Sequence, residues 1–191
     1  MEVTIYQTIE LREGQSDEEI VSEGPFICTA DDAWLGEGYY FWDTDKSLAH
    51  AWGTSRKKFK EKYVITQAKI TPQGNWFDLQ GNVAHRLMFS KIIEYLIEKN
   101  PHYSIHNPPP LKAVLEAIDS QTSLRKKYQG IRLMHVQSFK SEKDVTILPN
   151  AIPVKEDGPW KIVLNKDHIQ ICLFQKDSLG LADYKVVYRT K

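Results

Sequence analysis

An α+β fold with largely antiparallel β-structure is the class predicted for this chain of 191 residues. Three observations predict it. Runs rich in β-branched and aromatic residues occur near both ends, among them "EVTIYQTI" early and "HIQICLF" and "YKVVY" late. Two stretches of helical periodicity lie together in the middle, over 82–128. The resulting order is β-α-β-α-β, then helices, then several strands, which is the pattern of segregated rather than alternating elements.

Each element has a local cause. "EVTIYQTI" reads as a strand. In "SDEEIVSEG", Ser16 supplies an N-cap, acidic residues occupy the first turn where the helix dipole favours them, and Gly24 is the stop. The loop "PFICTADDAWLGEG" leads to the strand "YYFW", followed by a helix capped by Asp43 or Thr44 that runs to Gly53. "YVITQAKIT" is a further strand. Val83, Leu87, Met88, Ile92 and Leu96 recur at helical spacing, predicting an amphipathic helix over 82–99. Leu111, Val114, Leu115 and Ile118 predict a second helix reaching Tyr128, with Pro109 or Pro110 near its first turn. After Gly130 the chain returns to β with "GIRLMHV", "DVTIL", "WKIVL", "HIQICLF" and "YKVVY". The length suits one domain over 1–191, with 82–128 as a helical layer or insertion.

Charge and cysteine usage narrow the function classes. Lys plus Arg and Asp plus Glu number 25 each, so the formal net charge is zero. A dedicated nucleic-acid or membrane-surface protein would carry a basic excess. The run Arg56 to Lys62 is basic, but cations at a helix C-terminus complement its dipole. Cys28 and Cys172 are too few for a disulfide framework and lack metal-ligand spacing. With no basic-then-apolar leader and no apolar run near the ~20 residues of a membrane helix, a soluble cytoplasmic protein is expected, with no membrane partner.

The stretch "GEGYYFWDTDKSLAHAW" carries the functional signal. Strand alternation sends Tyr39 and Phe41 to one face and Tyr40 and Trp42 to the other. One pair joins the core, and the other faces whatever Gly36 and Gly38 allow to approach the backbone. Ser47 and His50 stand one turn apart on the following helix. A tyrosine, a hydroxyl and a second ring at a glycine-edged strand suit a flat aromatic amide. Trp34 and Trp52 flank this region as candidates for its walls, with ordinary core packing as the alternative. The Gly-x-Gly pair lacks the third glycine of a dinucleotide turn and the Lys-Ser/Thr of a P-loop.

In order and spacing, "IVSEGPFI", "GEGYYF" and "DKSLAH" resemble the NAD-binding half of the ADP-ribosyltransferases, in the diphtheria-toxin and poly(ADP-ribose) polymerase branch. The runs "YQGIRLMHV" and "DHIQICLF" resemble small phage- and toxin-associated members, and the likeness covers about half the chain. The resemblance implies two packed, mainly antiparallel sheets forming an NAD cleft, with NAD as substrate. It places Tyr40 on the tyrosine that packs against nicotinamide, Ser47 on the carboxamide-binding serine and His50 on the second sandwiching ring. Gly38 lies beside the ligand. An unknown protein or nucleic-acid acceptor would receive mono-ADP-ribose as nicotinamide leaves, and an antitoxin becomes a candidate partner.

The same comparison exposes departures. Gln7 or Tyr6 stands where a histidine anchors the ribose and amide, the Gln7 amide offering donors and an acceptor for the same role, and Thr8 stands where a glycine follows. No glutamate occurs in "LNKDHIQICLF"; Gln170 is the first candidate for its catalytic position and Asp167 the second. Replacing a charge-assisted hydrogen bond by a neutral one, and losing a carboxylate opposite a developing cation, costs roughly 2–4 kcal/mol. That corresponds to a rate about 30- to 1000-fold lower. A slow mono-transferase survives such a deficit, an efficient polymerase does not, and a catalytically silent nucleotide-binding or interaction module is the alternative. His102 and His106 have the spacing of two helical ligands, but Pro101, Pro108, Pro109 and Pro110 argue for a loop. His85 and His135 show no partner in sequence.

Overall fold

The structure is a computed structural model that describes residues 2–30, 33–56, 59, 62–71, 75–134, 169–176 and 180–190. Its described strands are β1 (Val3–Glu10), β2 (Tyr39–Asp43), β3 (Tyr63–Ile70), β4 (Trp76–Asp78), β5 (Gly130–Met134), β6 (Ile169–Leu173) and β7 (Ala182–Arg189). They form one sheet in the order β4-β5-β6-β2-β1-β3-β7, antiparallel except for the parallel β4–β5 pair. The helices are α1 (Asp17–Glu23), α2 (Lys46–Ser55), α3 (Val83–Lys99), α4 (Leu111–Thr122) and α5 (Leu124–Lys127). The α+β class holds. The expected pair of packed sheets is corrected: these strands are a single mixed sheet. The predicted strands "DVTIL" and "WKIVL" lie outside the described residues, as do Asp167 and His135.

A fork divides that sheet. Strand β1 pairs with β3 along its whole length, from Val3 opposite Ile70 to Glu10 opposite Tyr63. It pairs with β2 only at Ile5–Asp43 and Tyr6–Trp42. Beyond Tyr6 the two strands part, and the segment around Phe26 to Cys28 fills the gap. Cys28 and Gly38 exchange backbone hydrogen bonds of 2.8 and 3.2 Å. Cys28 thus stands on the opposite side of β2 from Cys172 of β6. Two strand spacings, roughly 10 Å, separate such positions, beyond the reach of a disulfide.

Side-chain alternation assigns the layers. Ile9 packs with Ile20 of α1 and with Val64. The neighbouring Thr8 faces the other way and donates its hydroxyl to Ala49 O of α2 at 2.7 Å. Leu48 and Ala49 of α2 bury against Trp42 and Ile65. On that same face α3 and α4 bury Phe89, Ile92, Val114 and Ile118 with Phe77, Ile131 and Leu133. Phe41 joins Ile5, Ala68 and Ile171 on the opposite face, as alternation along "YYFW" requires.

Helix boundaries follow the caps. Ser16 and Glu19 form a reciprocal capping box, with bonds of 3.1 and 2.8 Å, and Gly24 closes α1. The cap of α2 is Asp45, whose carboxylate accepts the Ser47 N–H at 2.8 Å, rather than Asp43 or Thr44. Asp43 is instead buried in an ion pair with Arg132, and Thr44 adopts φ 63°. The helix passes Gly53 and ends on Arg56. The second middle helix breaks at Ser123, at φ 53°, where its N–H reaches Asp119 O. Short β4 escapes pattern reading because "WFD" is buried on both faces, with Trp76 and Phe77 in different clusters. The segment of His102 and His106 is a non-helical loop.

Two polar clusters brace the β4–β5 edge. Arg132 donates Nε and Nη2 to Asp43 at 2.9 Å each, and its Nη1 lies 3.4 Å from Asp78. His85 has partners that its sequence context hides. Its Nδ1 accepts the Asp78 N–H at 3.0 Å, Nε2 lies 3.3 Å from the Tyr128 hydroxyl, and its ring packs 4.9 Å from Phe77. Burial holds its pKa below the ordinary histidine value.

Both clusters yield expected outcomes. Arg132→Met leaves a buried carboxylate unpaired and should cost about 3–5 kcal/mol in urea unfolding, with most of the loss recovered in Asp43→Asn/Arg132→Met. For His85, a folded pKa below the unfolded one means the unfolded state takes up the proton first. The neutral ring's stabilisation is therefore complete above about pH 6.5 and is lost as pH falls through the folded value. Thermal melts from pH 7.5 to 5 should show a falling midpoint, and the fall should shrink in His85→Gln.

Candidate functional site

In the fork lies a cavity of about 270 Å³. Strand β1 contributes Gln7 and Thr8 to its lining, β2 contributes Tyr40 and Trp42, β6 contributes Gln170, and α2 contributes Trp52. Helix periodicity explains the last of these. Ala49, Trp52 and Arg56 recur at i, i+3 and i+7, so the face that meets β1 also presents Trp52 and Arg56. The indoles of Trp42 and Trp52 meet edge to face with centroids 6.1 Å apart. The Arg56 guanidinium lies 4.4 Å from the centre of the Trp52 ring.

Gln170 has a defined orientation. It stands directly opposite Trp42 in the β2–β6 register. Trp34 Nε1 donates to Gln170 Oε1 at 2.6 Å. An indole N–H can only donate, so the amide oxygen is fixed on Trp34 and the amide nitrogen is the end left to the cavity. No hydrogen-bond partner for that nitrogen occurs among the described residues. Trp34 is itself held by the turn it begins. The Tyr40 hydroxyl donates to Gly36 O at 2.6 Å and accepts the Leu35 N–H at 3.0 Å. Arg125 Nη1 and Nη2 reach Glu37 O at 2.9 Å and Leu35 O at 3.2 Å.

Gln7 is structural. Its amide nitrogen donates to Phe26 O at 2.8 Å and to Tyr40 O at 3.4 Å, and its oxygen accepts the Phe26 N–H at 2.9 Å. Both amide hydrogens are occupied by backbone, so the side chain has no donor left for a ribose or a carboxamide. Tyr40 lines the cavity with its ring, while its hydroxyl is closed within the Leu35–Gly36 turn. Burial pushes that phenol well above the ordinary tyrosine range. Cys172 beneath it is raised to about 12, again chiefly by burial.

The structure thus gathers Gln7, Thr8, Tyr40 and Gln170 around one cavity and leaves Gly38, Ser47 and His50 elsewhere. A Cβ on Gly38 would lie 2.5 Å from Cys172 Sγ and 2.8 Å from Leu173 O, so this glycine admits β6 rather than a ligand. Gly36, at φ 78°, similarly admits the Arg125 guanidinium. Ser47 is exposed in the first turn of α2. His50 turns away, its Nδ1 3.2 Å from the Tyr63 hydroxyl and its ring 4.4 Å from that of Tyr188. The helical step that brings Ala49 onto Thr8 forces this, because His50 is then rotated about 100° toward β3 and β7. The second ring of the cavity is Trp52. The amphipathic stripe of Leu48, Ala49 and Trp52 was the sequence signal for it, whereas nothing local pairs Trp34 with Gln170, 136 residues away.

No family model, curated protein or solved structure matches this chain. Among the described residues no helix is long and apolar enough to cross a membrane, and no group of three or more metal-ligating side chains occurs.

The differing roles of Gln7 and Ser47 are measurable by urea unfolding. Gln7→Ala leaves the Phe26 N–H and carbonyl without their partner and should cost about 1–3 kcal/mol. Ser47→Ala, at an exposed site, should stay within about 0.5 kcal/mol of wild type.

Proposed function

We propose that the cavity is a binding site for a nucleotide-type ligand, with NAD or its nicotinamide half as the candidate, and that the chain acts as a binding module rather than as an efficient transferase. The observation that carries this reading is the Trp34-anchored amide of Gln170, which presents N–H donors beside the indoles of Trp42 and Trp52. A flat ring packs on the indole walls, and a carboxamide oxygen accepts from Gln170. The same orientation opposes transfer. Releasing nicotinamide builds positive charge on the ribose, and the positive end of an amide dipole disfavours a cation. Gln7 cannot replace the anchoring histidine, since both of its amide hydrogens are engaged by backbone.

A second reading, slow mono-ADP-ribosyl transfer to a protein or nucleic-acid acceptor, is favoured by one observation. Gln7, Tyr40 and Gln170, three of the residues that the resemblance to ADP-ribosyltransferases assigns to the site, line one cavity, whereas Ser47, His50 and Gly38, which it also assigns there, do not.

Ligand-induced stabilisation tests the binding reading, because a ligand that binds only the folded chain raises its melting temperature. NAD or nicotinamide should raise it in wild type and in His50→Ala, but not in Trp52→Ala. No shift with either ligand overturns the proposal. Gln170→Glu separates the two readings. A carboxylate facing a carbonyl oxygen should weaken nicotinamide binding by at least about tenfold if the site only binds. Under the transferase reading, nicotinamide release from NAD should instead rise by about tenfold or more.

A further inference from the structure

The hydrogen bond from Trp34 to Gln170 joins a turn to a strand. Trp34 lies inside the β-turn Ala33 to Gly36, closed by the Gly36 N–H on Ala33 O at 2.8 Å. Gln170 lies on β6, which ends at Leu173 and is followed by Phe174. An indole N–H and an amide oxygen meet at 2.6 Å only while turn and strand keep one relative position. One side chain outside the cavity touches both. Arg125 of α5 donates Nη1 to Glu37 O at 2.9 Å and Nη2 to Leu35 O at 3.2 Å, and its guanidinium lies 4.6 Å from the centre of the Phe174 ring.

This grip uses properties particular to arginine. Leu35 and Glu37 are separated by Gly36, which adopts φ 78° and whose own carbonyl is taken by the Tyr40 hydroxyl. Bridging the two remaining carbonyls needs donors held apart on a rigid fork, and the same planar group stacks on an aromatic ring. The turn and the guanidinium are in close contact, since a Cβ on Gly36 would lie 2.5 Å from Arg125 Nη2. Arg125 is itself placed by its backbone N–H, which donates to Asp119 Oδ1 in the last turn of α4 at 2.9 Å.

Resting on the binding reading above, we infer that Arg125 is a positioning residue for the cavity: it holds the Trp34 turn against the end of β6, and so sets the amide orientation by which Gln170 selects a carbonyl-bearing ring. Arg125 lies outside the residues that line the cavity and acts on a ligand through the Trp34–Gln170 bond. Without the clamp the turn shifts, the indole leaves the amide oxygen, and the Gln170 amide is free to present either end. Packing of a ring on the indoles of Trp42 and Trp52 does not pass through the turn. The signature of this role is lost carbonyl selectivity with ring binding retained.

Nicotinamide and thionicotinamide differ in one atom, and sulfur is a weak acceptor, so the ratio of their affinities reads the bond to Gln170. In calorimetric titration of the full chain, nicotinamide should bind about three- to tenfold more tightly than thionicotinamide. Trp34→Phe removes the anchoring donor and should bring that preference below about twofold. Arg125→Met keeps bulk over Phe174 without the donors. It should have the same effect from outside the cavity, with thionicotinamide affinity within about twofold of wild type. If Arg125→Met does not fold, Arg125→Lys replaces it: the charge stays over Phe174 but cannot bridge both carbonyls, and the preference should fall to about half or less. A merely structural role would weaken both ligands in parallel and leave their ratio. An unchanged ratio in the Arg125 variant, with Trp34→Phe losing it, therefore overturns the inference and leaves the binding reading in place. A wild-type preference below about twofold, a preference that survives Trp34→Phe, or binding of neither ligand overturns the binding reading and this inference with it.

Discussion

The two-residue contact between β1 and β2 is the constraint on which the remaining architecture depends. Paired further, the strands would close the sheet and leave no cavity; unpaired altogether, the halves β4-β5-β6-β2 and β1-β3-β7 would share no ladder. Parting after Tyr6 exposes backbone groups of both strands to a fork, and buried backbone groups need partners. The Gln7 amide meets that need from one side, bonding both Phe26 backbone groups and the Tyr40 carbonyl. Cys28 meets it from the other by pairing with Gly38. The cavity is thus the space left by a sheet opened and wedged at one point.

A second set of contacts aims the cavity's chemistry. Arg125, at the end of the helical layer, and Tyr40, on β2, together bond the carbonyls of Leu35, Gly36 and Glu37. The turn they grip begins at Trp34, and Trp34 fixes the oxygen of Gln170. The helical layer and the cavity are therefore mechanically connected, although no residue of α3 or α4 lines the cavity. An amide donor oriented by Trp34 beside indole walls suits recognition of a neutral carbonyl, and the proposed binding reading rests on that pairing.

Much of this was legible along the chain. Ser16 with Glu19, Gly24, Asn82 and the proline before Leu111 mark helix ends through interactions confined to a few neighbouring residues. The alternation of Tyr39 to Trp42 was equally plain, because successive strand side chains point to opposite faces whatever the context. The candidate site was only partly legible. Gln7, Tyr40 and Gln170 do meet, since each lies on a strand whose place was recognisable. Ser47 and His50 were misjudged because a helix's roll about its axis is set by what it packs against. Here Leu48 and Ala49 decide it by burying on Trp42 and Ile65.

What the sequence by itself determined was local: the α+β class, most element boundaries, the loop around His102 and His106, and the face of β2 that meets the cavity. Those depend on period, caps and breakers acting over a turn or two. Only the tertiary structure decided that the described strands make one forked sheet, that Gly36 and Gly38 admit Arg125 and Cys172, and that Trp34 fixes the amide oxygen of Gln170. The last two depend on partners about 90 to 140 residues apart, and hydrogen-bond orientation at such range is fixed by packing rather than by any pattern written along the chain.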